Sequence, residues 1–209
     1  MEAINRNAKR LHRLTEDILD LTKIESQSLN LHKEQFNLNE AISNAIEDIM
    51  TKKVFLTSFS SIKTKNPAIK LLDSYPQDIF VYADKGRISQ VVSNLLDNAV
   101  KFTKAAEDNI TIMINKKGEG EGQNNNNQQQ QVIVSIKDTG TGIDSEILPR
   151  LFTKFATKSQ IGGTGLGLFI CKGIVEAHGG RITEKKEEQH LASHFHWLQT
   201  KCSIITSKK

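Results

Sequence analysis

Gln90, Asn94, Asn98 and Lys101 fall at steps of four, four and three, which is one stripe of a helix. Surface stripes commonly carry Glu and Lys, so two asparagines and a glutamine are less ordinary. Amide oxygens are neutral hard ligands that suit Mg²⁺, a cation that bridges nucleotide phosphates and keeps several waters. A lysine one turn on can meet a phosphate as a point charge. A merely solvated polar face is the alternative that this stripe alone leaves open.

Two glycine-bearing stretches follow. Gly162-Gly-Thr-Gly-Leu-Gly-Leu168 leads into an apolar run that reads as a helix ended by Gly179-Gly180. Backbone N–H groups can approach an anion there, and a helix N-terminus favours negative charge. Asp138-Thr-Gly-Thr-Gly-Ile143 begins at the end of an apolar strand. A carboxylate in that place can accept a hydrogen bond from an exocyclic amine such as adenine's, with Gly140 and Gly142 letting a base lie against backbone. Plain hinges and Asp-capped turns are the competing explanations.

Periodicity supplies the elements that must position these groups. Residues 1–26 read as a helix with an apolar seam of Ile4, Ala8, Leu11, Leu14, Ile18 and Leu21; so narrow a seam calls for a partner helix. Leu29 to Phe36 reads as an edge strand, and Asn37-Leu-Asn-Glu40 has the form of a capping box before a second helix. Val54-Phe-Leu56, Ile69-Lys-Leu-Leu72 and Ile79-Phe-Val-Tyr82 are expected as strands. Asp84 is placed to cap a helix over 85–103, with Ile88, Val91, Val92, Leu95, Leu96 and Ala99 on its core face. Strands at 110–114 and 132–136 flank a low-complexity run, 118–131, that predicts a mobile hairpin loop. This order gives an α+β fold, a mixed sheet covered by helices.

The chain has 37% hydrophobic residues, enough for a core, and a formal net charge of +4. Its Lys and Arg are scattered rather than striped, which gives nucleic-acid binding no support. The two cysteines, Cys171 and Cys202, lack metal-ligand spacing and fit a reduced interior. No run of about 18 apolar residues offers a membrane span, so a cytoplasmic location is expected, with an intact parent protein free to be membrane-anchored.

In this order the stretches resemble the sensor histidine kinases of two-component systems, whose ATP domain is shared with gyrase, chaperone and mismatch-repair ATPases. Asn94-Leu-Leu-Asp-Asn-Ala-Val-Lys-Phe-Thr103 is similar to the asparagine box, Asp138 to Ile143 to the first glycine box, and Phe152-Thr-Lys-Phe155 to the phenylalanine box. Gly163 to Leu168, continued through Glu176-Ala-His-Gly-Gly180, is similar to the second glycine box. Leu11 to Glu25 resembles the second helix of the dimerisation hairpin. The resemblance implies a two-layer α/β sandwich preceded by a dimerisation helix. It divides the chain into a partial dimerisation helix (1–28), an ATP-binding catalytic domain (29–186) and an atypical tail (187–209).

The resemblance also implies roles. Asn98 coordinates Mg²⁺, with Asn94 and Lys101 near the phosphates. Asp138 reads adenine over Gly140 and Gly142. Gly163, Thr164, Gly165, Leu166 and Gly167 line the phosphates, residues 145–162 form a lid anchored by Phe152 and Phe155, and His178 is structural. Hydrolytic relatives carry a glutamate where this chain has Asn94, and an amide is no general base. Phosphoryl transfer to a histidine is therefore expected over hydrolysis, with ATP and Mg²⁺ as cofactors, a response regulator receiver domain downstream and a homodimer in the intact protein.

Two departures bear on this. The family's acceptor histidine lies on the first hairpin helix, which this chain does not carry; His12 is on the other helix and precedes Arg13. The acceptor is expected on a histidine-bearing dimerisation helix, either the protein's own missing segment or that of another kinase, and autophosphorylation of this chain alone is expected to fail. The tail lacks the usual closing Phe-x-Phe-x-Leu strand, yet codons begun one base earlier permit such a strand and force a leucine across His196 and Trp197. An out-of-frame reading from about residue 186 is the expectation. A non-catalytic ATP-binding or partner-interaction module is the alternative function.

Overall fold

The structure, a computed structural model, describes residues 2–58, 68–73, 78–103, 109–117, 131–140, 142–157, 163–187 and 190–199. The elements are α1 (Glu2–Glu25), β1 (Glu34–Asn37), α2 (Leu38–Ser58), β2 (Ala68–Asp73), β3 (Phe80–Ala83) and α3 (Lys85–Phe102). They continue with β4 (Asn109–Lys117), β5 (Gln131–Asp138), α4 (Gly167–Ala177), β6 (Arg181–Glu187) and β7 (His190–Gln199). The low-complexity run, except Gln131, lies outside the described residues, as does the lid segment 158–162.

Alternation sets the layers. Ile110, Ile112 and Ile114 of β4 and Val132, Val134 and Ile136 of β5 are buried. Every second side chain of a strand faces one way, so these six form one apolar face. Opposite it lie Ile88, Val91, Val92, Leu95, Leu96 and Ala99 of α3, and Ile170, Cys171, Ile174 and Val175 of α4, all in one core. The sheet order is β2-β4-β5-β7-β6, with β2 and β4 parallel and the other pairs antiparallel. β1 and β3 form a separate antiparallel pair. The result is the α+β, helices-on-sheet layout that the pattern predicts.

Local chemistry fixes the ends of the helices. Asn37 Oδ1 accepts from the N–H groups of Asn39 (3.0 Å) and Glu40 (3.3 Å) and so starts α2. Asp84 caps α3 by accepting from Arg87 N–H at 3.0 Å. At the end of α1, Gln27 takes a positive φ of 53° and Ser28 N–H bonds Lys23 carbonyl at 2.9 Å, a left-handed C-terminal closure.

Two expectations are corrected. Val54-Phe-Leu56 is helical, part of α2. Three strand-prone residues with no Gly or Pro before them do not halt a helix that is already propagating. The first strand is also shorter than 29–36 and, among the described residues, pairs with β3 alone. The tail contributes β7, which lies between β5 and β6.

α1 rests on the domain by an unexpected side. Ile4, Leu11 and Ile18 of its apolar seam are 73%, 66% and 52% exposed, whereas Asp17 and Asp20 are buried. A second stripe, Arg13, Asp17, Asp20 and Ile24, faces α3 and α4: Arg13 and Asp20 bond α3, while Ile24 lies against Gly173.

Candidate nucleotide site

α3 brings the amide stripe to the glycine loop. A Cβ at Gly163 would lie 3.2 Å from Lys101 Nζ, and one at Gly167 would lie 3.9 Å from the Asn94 amide. Lys101 and Asn94 thus border opposite ends of the loop. Asn98 lies between them on α3, half-buried. Burial lowers the pKa of the Lys101 ammonium from its ordinary value, and its Nζ also stands 5.1 Å from the Phe102 ring centroid.

Asp138 ends β5 and pairs in register with Ile110. It continues the buried 132, 134, 136 alternation, so its carboxylate points into the helix layer and is buried. Its Oδ1 accepts from Gly140 N–H at 2.9 Å. A Cβ at Gly140 would meet the Phe102 carbonyl oxygen at 2.5 Å; backbone passes backbone there, and only glycine fits. The carboxylate is therefore held beside the C-terminus of α3. Thr103 Oγ1, next in the chain, is buried with no hydrogen-bond partner among the described residues.

The glycine loop is shaped by left-handed residues. Gly165 (φ 68°) and Phe155 (φ 60°) stand back to back. Phe155 N–H donates to the Gly165 carbonyl at 3.0 Å, and a Cβ on Gly165 would come within 2.7 Å of Phe155 Cα. Gly142 is likewise left-handed, at φ 71°. Phe152 packs against the core, but the Phe155 ring is 64% exposed; that residue is anchored through its backbone, not its ring. Leu166 is buried and opens α4. Its N–H donates to Thr164 Oγ1 at 3.1 Å, and that hydroxyl donates to Asp17 Oδ2 of α1 at 3.0 Å.

The α1 contacts bring in neighbours of the stripe that the sequence motifs do not mark. Arg13 Nη2 donates to Asn94 Oδ1 (3.2 Å) and Asp97 Oδ2 (3.0 Å). Asp20 accepts from Arg87 Nη1 (2.6 Å) and Gln90 Nε2 (2.7 Å). Lys154 pairs with Glu25. A cavity of about 410 Å³ lies between α1 and α3, lined in part by Arg13, Asp17, Asp20, Gln90 and Asn94. Burial raises the Asp17 pKa, against the Thr164 hydrogen bond and the Arg13 charge, which lower it. Cys171 is fully enclosed behind Asn94, and burial pushes its thiol up to about 12; it is an inert core residue.

His178 is a clasp. Its Nε2 accepts from Asp84 N–H at 3.1 Å, so Nδ1 carries the proton given to the Ile174 carbonyl at 2.8 Å. Burial lowers its pKa. Asp84 Oδ2 also accepts from His32 N–H at 2.9 Å. Asp84 thereby ties, through its carboxylate, the segment after α1 to the start of α3 and, through its backbone N–H, both to the end of α4.

The family model for histidine kinase-, DNA gyrase B-, and HSP90-like ATPases matches residues 83–201. The chain belongs to this family. The matched region contains the stripe, both glycine stretches and β7. The chain is 31% identical over 200 residues to hybrid signal transduction histidine kinase L of Dictyostelium discoideum, covering 91% of this chain and 10% of that protein. It is 37% identical over 179 residues to the sensor protein KdpD of Clostridium acetobutylicum, covering 82% of this chain and 17% of the relative. Among solved structures, histidine kinase ThkA in complex with the response regulator protein TrrA superposes with a TM-score of 0.62 at 25% identity, covering 96% of this chain and 51% of that one. The chain spans a minor part of the curated relatives it matches.

Proposed function

We propose that this chain is the ATP-binding catalytic part of a histidine protein kinase in two-component signalling. It transfers the γ-phosphoryl of ATP to a histidine on a dimerisation helix. The observation that carries this is the run of contacts along α3: the Asp138–Gly140 pair at the Phe102 end, Lys101 against Gly163, and Asn94 against Gly167. An adenine read by Asp138 and a triphosphate laid along the glycine loop fit that sequence of groups. The buried Thr103 hydroxyl and the glycine cradle suit a polar ligand.

In this reading Asn98, Asn94 and Lys101 hold the phosphates, and Asn98 ligates Mg²⁺ through its amide oxygen. Bound Mg²⁺ would neutralise charge on the phosphate oxygens. Gly163, Thr164, Gly165 and Gly167 present backbone N–H groups, and Leu166, whose own N–H is taken by Thr164 Oγ1, opens the helix N-terminus there. The acceptor imidazole nitrogen forms the new N–P bond as the bond from the γ-phosphorus to the bridging oxygen breaks. ADP leaves with that electron pair, and the imidazole proton passes to solvent. Such a step needs positioning and charge stabilisation more than a base, and Asn94 supplies no base. The intact protein is proposed to be a homodimer that works in the cytoplasm and passes phosphate to a response regulator receiver domain. No helix among the described residues is long and apolar enough to cross a membrane.

A second reading, a nucleotide-binding interaction module without transfer, is favoured by one observation: Arg13 already occupies the Asn94 amide oxygen. The chain, ATP, Mg²⁺ and a histidine-bearing kinase hairpin separate the two. Acid-labile label on the hairpin, absent when the chain is incubated alone, supports the kinase. Nucleotide binding without label supports the module. Asn98→Ala is expected to abolish Mg²⁺-dependent nucleotide binding, and unchanged affinity refutes the metal role.

A further inference from the structure

The contacts along α3 give the nucleotide site a direction, and this inference rests on the nucleotide reading above. The carboxylate Asp138 and Gly140 mark the base end, beside Phe102. Lys101 borders the start of the glycine loop, at Gly163. Asn94 borders its far end, at Gly167, where α4 begins. From Phe102 to Asn94 α3 rises about 12 Å, a span suited to a ribose and three phosphates. The last phosphate therefore comes to the Asn94 end, and that end is where α1 lies.

The side chain that α1 delivers there is Arg13. Its guanidinium sits 3.2 Å from Asn94 Oδ1 and 3.0 Å from Asp97 Oδ2, at the edge of the cavity between α1 and α3. Guanidinium is the side chain best matched to phosphate, since its planar fork can pair two oxygens. The neighbouring acids are already engaged: Asp20 by Arg87 and Gln90, Asp17 by Thr164. Asp97, half-buried at the rim, is the only carboxylate bonded to Arg13 among the described residues, and a partly exposed pair of this kind is readily exchanged.

We propose that Arg13 contacts the terminal phosphate of bound nucleotide, so that α1 reads whether the site holds a triphosphate or a diphosphate. Arg13 moves from Asn94 Oδ1 and Asp97 to the γ-phosphate and so keeps α1 docked. With a diphosphate no oxygen reaches Arg13, and α1 gains nothing from the ligand.

The test uses the whole 209-residue chain, with AMPPNP and ADP titrated separately in Mg²⁺. Arg13→Ala is expected to weaken AMPPNP about tenfold, the scale of one charge-assisted contact, and to leave ADP within about twofold. Asp97→Asn, which releases Arg13 from its competing carboxylate, is expected to tighten AMPPNP several-fold and not ADP. Hydrogen exchange supplies a second readout: AMPPNP, not ADP, slows exchange in α1 of the unaltered chain, and Arg13→Ala removes that difference. Arg13 is largely exposed, so its loss does not threaten folding. Equal changes for both nucleotides, or none, overturn the role of Arg13 while leaving the nucleotide site standing. If the unaltered chain binds neither nucleotide, the site itself fails and the inference with it.

Discussion

Gly173 of α4 gives a way to lift α1 without touching the nucleotide site. A Cβ at this position would lie 2.6 Å from Ile24 Cγ2, 2.7 Å from Cδ1 and 2.9 Å from Cγ1. Three atoms of a stiff, β-branched side chain cannot all retreat by a rotamer change, so Gly173→Ala must push α1 outward. Two effects oppose each other. Alanine in a helix interior is favoured over glycine by about 1 kcal/mol, which stabilises α4. Ile24 is half-buried, and losing part of the roughly 1.5–3 kcal/mol that full isoleucine burial provides removes about 1 kcal/mol of docking. That is close to a fivefold shift toward the undocked helix. The expected outcome is therefore split: thermal stability of the domain unchanged or slightly higher, and hydrogen exchange in residues 13–25 faster by about fivefold. Exchange in α1 equal to that of the unaltered chain would refute the packing argument, as would a matched loss of stability across α3 and α4.

Gly165→Ala places a side chain at φ 68° with its Cβ 2.7 Å from Phe155 Cα. Left-handed backbone costs a non-glycine residue about 1–2 kcal/mol, and the facing atoms are main chain. Nucleotide affinity should fall at least tenfold with the sheet intact by circular dichroism; full affinity sinks the assignment of the loop. His178 has a pKa below its usual 6.5 because it is buried. The stability it confers is complete above that value and drains as pH falls through the folded pKa. Asp84 adds loss of the same sign at lower pH: burial raises its pKa, but the Arg87 and His32 N–H groups outweigh this and its net pKa is lowered. Urea midpoints should drop as pH falls below about 6.5, and less so in His178→Gln; a flat profile in the unaltered chain excludes the clasp. Sequencing the coding DNA across codons 180–201 tests the out-of-frame tail, and codons that spell no alternating strand when shifted end that proposal.

The α3 stripe, its Asp84 cap and the β4–β5 pair were legible because each is a local signal, a period of 3.6 or 2 with a capping residue at the right place. The glycine stretches were legible as sequence, and their convergence on α3 followed only from the family resemblance. The docking side of α1 was not legible. Arg13, Asp17, Asp20 and Ile24 recur at steps of four, three and four, a helical stripe in its own right. A hydrophobicity pattern discards it because three of the four are charged. Their partners, Asn94, Thr164, Arg87 and Gly173, lie far along the chain, and charge complementarity at such separation leaves no periodic trace. Of the apolar seam, for which a partner helix is expected, Ile4, Leu11 and Ile18 are left exposed, while Leu21 packs against the core.

His32 is pinned to Asp84, and α1 ends at Glu25, so only a short tether separates the helix from a fixed point on the domain. A released α1 cannot diffuse away. It swings within reach of its own seat at an effective concentration on the order of millimolar. Contacts as weak as exposed ion pairs, negligible between separate molecules, then suffice to keep the helix seated much of the time. Added salt shifts that balance without unfolding anything.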